Sequence, residues 1–299
     1  MSVASTPAPT VTMSNAPHVL DAHGQHAQAV HFTRDSKRLV TCGQDAKIRV
    51  WTVPAFKQER ALEGHEKCVN SLSFSADGER LATASSDPAV RLWSFRDGKC
   101  LFTFQKQSIA ALGPDGDHLV TVSSKGELVL WDGKTGEKRK TLPALDKRHM
   151  SLAFATSGLF LFVGGTGPIH RVALPDGTVD GVHNGHQIGV ACLRPSPNPA
   201  ILASTGLDGT LRFWTVVGGD EVNCVPLKST GMLQLAFAAD GRSIAVSVDN
   251  AVQLLSAPDG ELLQRFELPV KGVYGVAISP DGRYLANAAA DGRVRVWEL

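Results

Sequence analysis

GHEKCVNSLSFSADGERLATASSDPAVRLW, residues 64–93, holds the pattern that decides the fold. It runs from His65 through alternating apolar and polar residues to an Asp-Gly turn. A second alternating run follows, then Asp87 and, six residues on, Trp93. Alternation with period two, split by Asp-Gly, is the signature of short antiparallel strands joined by tight turns. Residues 22–51, AHGQHAQAVHFTRDSKRLVTCGQDAKIRVW, and residues 185–214, GHQIGVACLRPSPNPAILASTGLDGTLRFW, fit the same frame, with 28 residues from His to Trp in all three.

Weaker copies fill the remaining chain. Their tryptophan-equivalent slots are placed at Trp131, Ala173, Ser256 and Trp297, which with Trp51, Trp93 and Trp214 gives seven units at intervals of 38 to 42 residues. All five tryptophans of the chain occupy such slots. A repeat of this length cannot bury its own apolar faces and must stack on its neighbours, so small antiparallel sheets repeated around an axis are expected. No segment has a helical period.

The repeats resemble the WD40 family, on the strength of Gly64-His65 and Gly185-His186, the turn aspartates and the tryptophans, over residues 18–299. The literal Trp-Asp pair occurs only at Trp131-Asp132. The resemblance implies an all-β fold, a seven-bladed propeller of four-stranded antiparallel blades. It also implies that the outer strand of the last blade comes from the N-terminus. PHVLDAH, residues 17–23, is similar to ERALEGH, residues 59–65, so residues 18–21 are expected to pair with residues 293–297 and close the ring. Residues 1–16, rich in Ser, Thr, Ala and Pro, are expected to form a flexible tail ahead of a single domain at 17–299.

His23, Thr41, Asp45 and Trp51 share one repeat; His65, Thr83, Asp87 and Trp93 a second; His186, Ser204, Asp208 and Trp214 a third. A hydroxyl, an imidazole and a carboxylate together invite a hydrolase reading. The resemblance implies instead a structural hydrogen-bonded tetrad, and three copies in one chain favour scaffolding over a catalytic site. The third repeat keeps Trp131 and Thr121 but has Lys125 at the turn-Asp slot, while the seventh keeps Asp291 and Trp297 but has Pro269 and Asn287. The fourth and sixth lack the tetrad, and their apolar runs, 159–163 and 244–246, are expected to hold by packing on neighbours.

Other motifs weigh little. His23 and His26, like His183 and His186, have a spacing found among zinc ligands, yet no cysteine or carboxylate cluster joins them, so no metal or cofactor is expected. Gly164-Gly165-Thr166-Gly167 lacks the Lys and helix of a phosphate loop and is read as an inter-strand turn using positive φ. Lys134, Lys138, Arg139, Lys140, Lys147 and Arg148 form a basic cluster, read as a solvated outer strand with no interleaved aromatics to stack bases. Thirty basic against twenty-nine acidic side chains make a nucleic-acid partner unlikely. The five cysteines are widely spaced, odd in number and free of CxxC pairs, which suits reduced thiols in a cytoplasmic protein. No apolar run is long enough for a membrane span.

In WD40 proteins the loops carrying the Gly-His and turn-Asp positions share the top face, where flanking side chains meet partners. Carried over by position, this implies His26, Gln44, Arg148, Met150, Leu207, Leu233, Asp249 and Tyr274 as the larger partner-binding candidates. The expected function is non-catalytic binding of a protein or peptide on that face by a chain that is monomeric on its own. The alternatives are an enzyme or small-ligand binder using the channel mouth, and a structural subunit of a larger assembly.

Overall fold

The structure, a computed structural model, describes residues 16–143, 145, 148–227, 229, 231 and 233–299. All but Ala16 of the expected tail lies outside the described residues, as does Lys147. Among the described residues, twenty-eight strands form seven four-stranded antiparallel sheets. Blades 1 to 6 are continuous in sequence, at 27–62, 69–105, 107–141, 149–183, 190–226 and 235–267. Blade 7 combines Val273–Ile278, Tyr284–Ala289 and Arg293–Glu298 with the N-terminal strand His18–Asp21. The register of that closure is His18 to Val296, Val19 to Arg295, Leu20 to Val294 and Asp21 to Arg293. Leu20 is its buried residue, and Arg293 forms an exposed ion pair with Asp21 at 2.9 Å. The latch expected from residues 17–23 is therefore present.

The apolar side chains gather between blades. Val40, Ile48 and Val50 of blade 1 pack with Leu81 and Trp93 of blade 2, and six further clusters join the other successive pairs, including Leu20 and Phe32 with Tyr284 and Val296 across the closure. Each blade thus buries its two faces on two different neighbours. A turn from the innermost strand lies at the bottom of every blade, and antiparallel reversal sends the next turn to the top.

The register corrects two tryptophan-equivalent slots. Trp51, Trp93, Trp131, Trp214 and Trp297 pair with Leu39, Leu81, Leu119, Leu202 and Leu285. The matching pairs in blades 4 and 6 are Leu161 with Val172 and Ile244 with Leu255, one residue before Ala173 and Ser256. Val172 and Leu255 are buried in the inter-blade clusters, whereas Ala173 and Ser256 are half-buried. A one-residue shift in a strand exchanges its two faces, so only one register puts hydrocarbon in these interfaces.

Two smaller expectations also change. Gly164 and Gly165 end the strand Phe160–Gly165, and neither has positive φ. A Cβ on Gly164 would lie 2.7 Å from Val190 Cγ1, so glycine is needed there for the close approach of blades 4 and 5. Leu159 precedes its strand and is exposed, while Leu161, Phe162 and Val163 are buried as expected for their apolar run.

Removing residues 1–22, or changing Leu20 to Asp, strips or poisons the outer strand of blade 7. Each change is expected to lower Tm by roughly 5 °C or more, the size of a few kcal/mol in a chain of this length. Unaltered melting by circular dichroism would show that closure does not depend on this strand.

Candidate functional site

Three blades carry the complete tetrad. Trp51 Nε1 donates to Thr41 Oγ1 at 3.0 Å, Thr41 Oγ1 lies 2.9 Å from His23 Nε2, and His23 Nδ1 lies 2.8 Å from Asp45. In blade 2 the same distances are 2.9, 2.7 and 2.9 Å for Trp93, Thr83, His65 and Asp87. In blade 5 they are 2.8, 2.7 and 3.1 Å for Trp214, Ser204, His186 and Asp208. An indole N–H can only donate, so the hydroxyl accepts from it and passes its own proton to Nε2. The carboxylate can only accept, so Nδ1–H donates to it and Nε2 is the ring nitrogen that accepts from the hydroxyl.

This geometry disposes of the hydrolase reading for these groups. A nucleophilic hydroxyl needs a free lone pair aimed at a substrate, but Thr41, Thr83 and Ser204 are 0% exposed and already accept from a tryptophan. The chain of bonds ties the two middle strands of a blade to the turn between them and to the loop that leads into the blade.

An arginine two residues before the tryptophan completes the arrangement and was not anticipated. Arg91 donates to Asp87 at 2.9 Å, Arg49 to Asp45, and Arg295 to Asp291, while Arg212 reaches Asp208 at 3.9 Å and also Glu221. Its signal, Asp-x3-Arg-x-Trp, stands in the sequence of blades 1, 2, 5 and 7. Burial alone would raise the carboxyl pKa of Asp45, but hydrogen bonds from His23 and Arg49 hold it at about 2. Asp208 is likewise held at about 2, where the backbone N–H of Gln187, the Thr210 hydroxyl and His186 outweigh burial. Asp87 lies well below the usual range through the Glu66 N–H, His65 and Arg91 acting against burial. Burial lowers the pKa of His65 and His186.

Incomplete blades solve the same problem differently. In blade 3 Trp131 donates to Thr121 at 2.8 Å, and Thr121 donates to Gln107 Oε1 at 2.6 Å, so a buried amide oxygen replaces the imidazole. In blade 7 Asn287 is 0% exposed, and neither its Nδ2 nor its Oδ1 has a hydrogen-bond partner.

The top-face candidates do not form one continuous patch. The His26 and Tyr274 rings lie 5.6 Å apart, Gln44 N donates to His26 O at 2.9 Å, and Gly272 N donates to Asp249 O at 3.2 Å. His26, Gln44, Asp249 and Tyr274 therefore converge from blades 1, 6 and 7. Arg148 and Met150 stand apart on blade 4 and Leu207 on blade 5. Arg148 is exposed; Met150 and Leu207 are half-buried. Leu233 is 2% exposed and packs with Leu227, Leu235 and Val248, so its place as a partner contact is corrected: it belongs to the core.

Two members of the basic cluster have carboxylate partners and a third meets a backbone carbonyl. Lys134 pairs with Asp117 at 2.6 Å, Arg139 grips Asp132, and Lys140 donates to the Asp176 carbonyl. His183 lies against the Thr215 carbonyl at 3.2 Å, and His186 is committed to its tetrad. Among the described residues no group of three or more His, Cys, Asp or Glu is arranged to hold a metal, and no helix is long and apolar enough to cross a membrane.

With the propeller and its tetrads established, comparison with known proteins places the chain. The family described as "WD domain, G-beta repeat" (WD40) matches residues 15–52, 56–94, 177–215 and 260–298, just over half of the sequence. The chain belongs to that family. The four matched segments end in the four blades that carry Asp-x3-Arg-x-Trp. SIR4-interacting protein SIF2 of Saccharomyces cerevisiae is 29% identical over 140 residues, covering 47% of this chain and 26% of that protein. Target of rapamycin complex subunit wat1 of Schizosaccharomyces pombe is 36% identical over 107 residues, covering 35% of this chain and 34% of that protein. The matches thus span about a third or less of these relatives. The β-propeller domain of Myceliophteria thermophila Cps50 (Swd1) superposes with a TM-score of 0.84 over 96% of this chain and 99% of that one, at 20% identity, and so shares the fold.

Two predictions follow from the tetrads. In both acid windows the unfolded chain takes up protons first. His65 and His186 protonate near pH 6.5 when unfolded but lower when folded, and the aspartates protonate near 4 when unfolded but near 2 or below when folded. Stability is expected to fall as pH drops below about 6.5, and again below about 4. Asp87→Asn should start from a lower Tm at pH 7 and lose less on further acidification, a difference that melting from pH 7.5 to 3 would detect. Asn287→Thr is expected to be neutral or stabilising by up to about 1 kcal/mol, since it removes two unsatisfied buried atoms and offers Trp297 an acceptor. A destabilisation in urea titrations would show that the amide is satisfied.

Proposed function

We propose that residues 17–299 act as a non-catalytic platform that binds a protein or peptide partner on the top face, as an adaptor or a subunit of an assembly. The observation that carries this reading is the convergence of His26, Gln44, Asp249 and Tyr274 from three blades onto one side of that face. An aromatic ring set among polar and acidic neighbours is the kind of surface on which binding energy concentrates. The tetrad hydroxyls, imidazoles and carboxylates, the chain's most enzyme-like groups, are used internally. That similar proteins are named as an interacting protein and a complex subunit supports the same direction. The free cysteines, two of them buried, are in keeping with a reducing, cytoplasmic setting. The near balance of basic and acidic side chains, with Lys134 and Arg139 already paired to aspartates, favours a protein partner over nucleic acid.

The test is quantitative capture of partners from native lysate by the intact protein and by a folded variant carrying Arg148→Glu and Tyr274→Ala. A partner held by the first and lost by the second, with matching melting curves, is the expected outcome. Equal capture by both would move the binding surface away from the top face.

A further inference from the structure

The central channel contains two adjoining cavities, of about 1090 and 710 Å³, which share His31, Arg194 and Gln234 in their walls. Among the described residues, neither is lined by an Asp or a Glu. This is unexpected in a chain with almost as many acids as bases.

The strand register shows how selective the placement is. His31 pairs with Val40 and Arg194 with Ala203, so the two occupy the same position in the innermost strands of blades 1 and 5. In the other blades that position is Ser73, Ala111, Ala153, Ala236 or Ala277. Three residues beyond His31, at the bottom mouth, Arg34 stands where the remaining blades carry Ala76, Pro114, Thr156, Pro197, Ala239 and Pro280. Two successive rings of small side chains are thus interrupted only by cationic or cation-capable groups.

These groups are anchored and unpaired. Arg34 Nη1 donates to the Ala76 carbonyl at 3.0 Å, and Arg194 Nη1 to the Leu193 carbonyl at 2.9 Å, which leaves the rest of each guanidinium fork available. Among the described residues no carboxylate pairs with either. The nearby turn aspartates are committed to their own loops: Asp35 accepts from Thr33 and Lys37, Asp77 from Ser75 and Glu79, and Asp281 from Ser279 and Arg283. His31 Nδ1 donates to the Phe32 carbonyl, so its Nε2 is the nitrogen left free. The enclosing wall and the charge on Arg194 lower its pKa, and the two arginines therefore carry the permanent charge.

We propose that the bottom half of the channel is a binding site for a small, multiply charged phosphate compound, held between Arg34 and Arg194. A cleft with protein walls lined by one sign of charge concentrates the opposite sign. Guanidinium groups from two separate blades require acceptors in several directions. A phosphate chain provides these, whereas a planar carboxylate satisfies one fork at a time. The cavity is far larger than a single phosphate, so it has room for a ligand that carries a body as well as charge. This site is independent of the top-face reading.

The test is isothermal titration of the full chain with sodium tripolyphosphate, in magnesium-free buffer, with citrate as a carboxylate polyanion. Wild type is compared with Arg34→Gln, Arg194→Gln and, as a control on the exposed outer strand of blade 2, Lys99→Gln. The expected result is saturable tripolyphosphate binding that weakens tenfold or more in each arginine variant, stays unchanged in the lysine variant, and exceeds citrate binding at least tenfold. Absence of binding at millimolar tripolyphosphate, or equal affinity in all four proteins, overturns the site. Citrate binding as tight as tripolyphosphate overturns the phosphate assignment. Melting curves that match wild type confirm that each variant is folded.

Discussion

Everything in this fold depends on the fact that no blade can bury both of its faces alone. The seven apolar clusters each belong to two successive blades, and there is no shared central core, only a channel. An open row of blades would leave one apolar face at each end in water, so the ring must close. The short strand His18–Asp21 completes the final sheet at the place where the first and last blades meet.

The tetrads add specificity to that packing. Burying a hydroxyl, an imidazole and an indole N–H is costly unless each finds a partner, and the Trp-Thr/Ser-His-Asp chain satisfies them in one arrangement only. Blade 3 shows that the constraint is satisfaction of the hydroxyl proton and not the identity of its acceptor, since Gln107 serves in place of histidine. Blades 4 and 6 show the other solution, with Val163 and Val246 at the hydroxyl position and Val172 and Leu255 at the indole position. Hydrocarbon then needs no partner but close packing, at the expense of the directional bonds that single out one geometry.

Strand alternation, the Asp-Gly turns and five tryptophans are enough to count seven repeat units, whereas the closure and the tetrads are legible only through the resemblance to the WD40 family. Where the aromatic anchor was missing, the frame slipped by one residue, at Ala173 and Ser256, because an alternating apolar run fits two neighbouring frames almost equally until its burial is known. The arginine partners were visible as Asp-x3-Arg-x-Trp but carry no meaning until the tetrad carboxylate is seen to need a second donor. Gln107 and Gly164 owe their roles to neighbours distant in sequence, and no local pattern announces such contacts. Counting back from the innermost strand puts Leu233 at a top-face position, whereas it is buried against Leu227, Leu235 and Val248. The channel arginines were legible as residues but not as a pair, since blades 1 and 5 meet only through the ring.

The latch also decides how the ring meets a directed pull. His18 pairs with Val296 while Asp21 pairs with Arg293, so the upstream end of the first strand and the downstream end of the last lie side by side. Tension applied through the two ends of the chain would load these pairs one after another, peeling the strand away as a zipper opens. Such a pull would meet the closure of blade 7 before any of the other six blades.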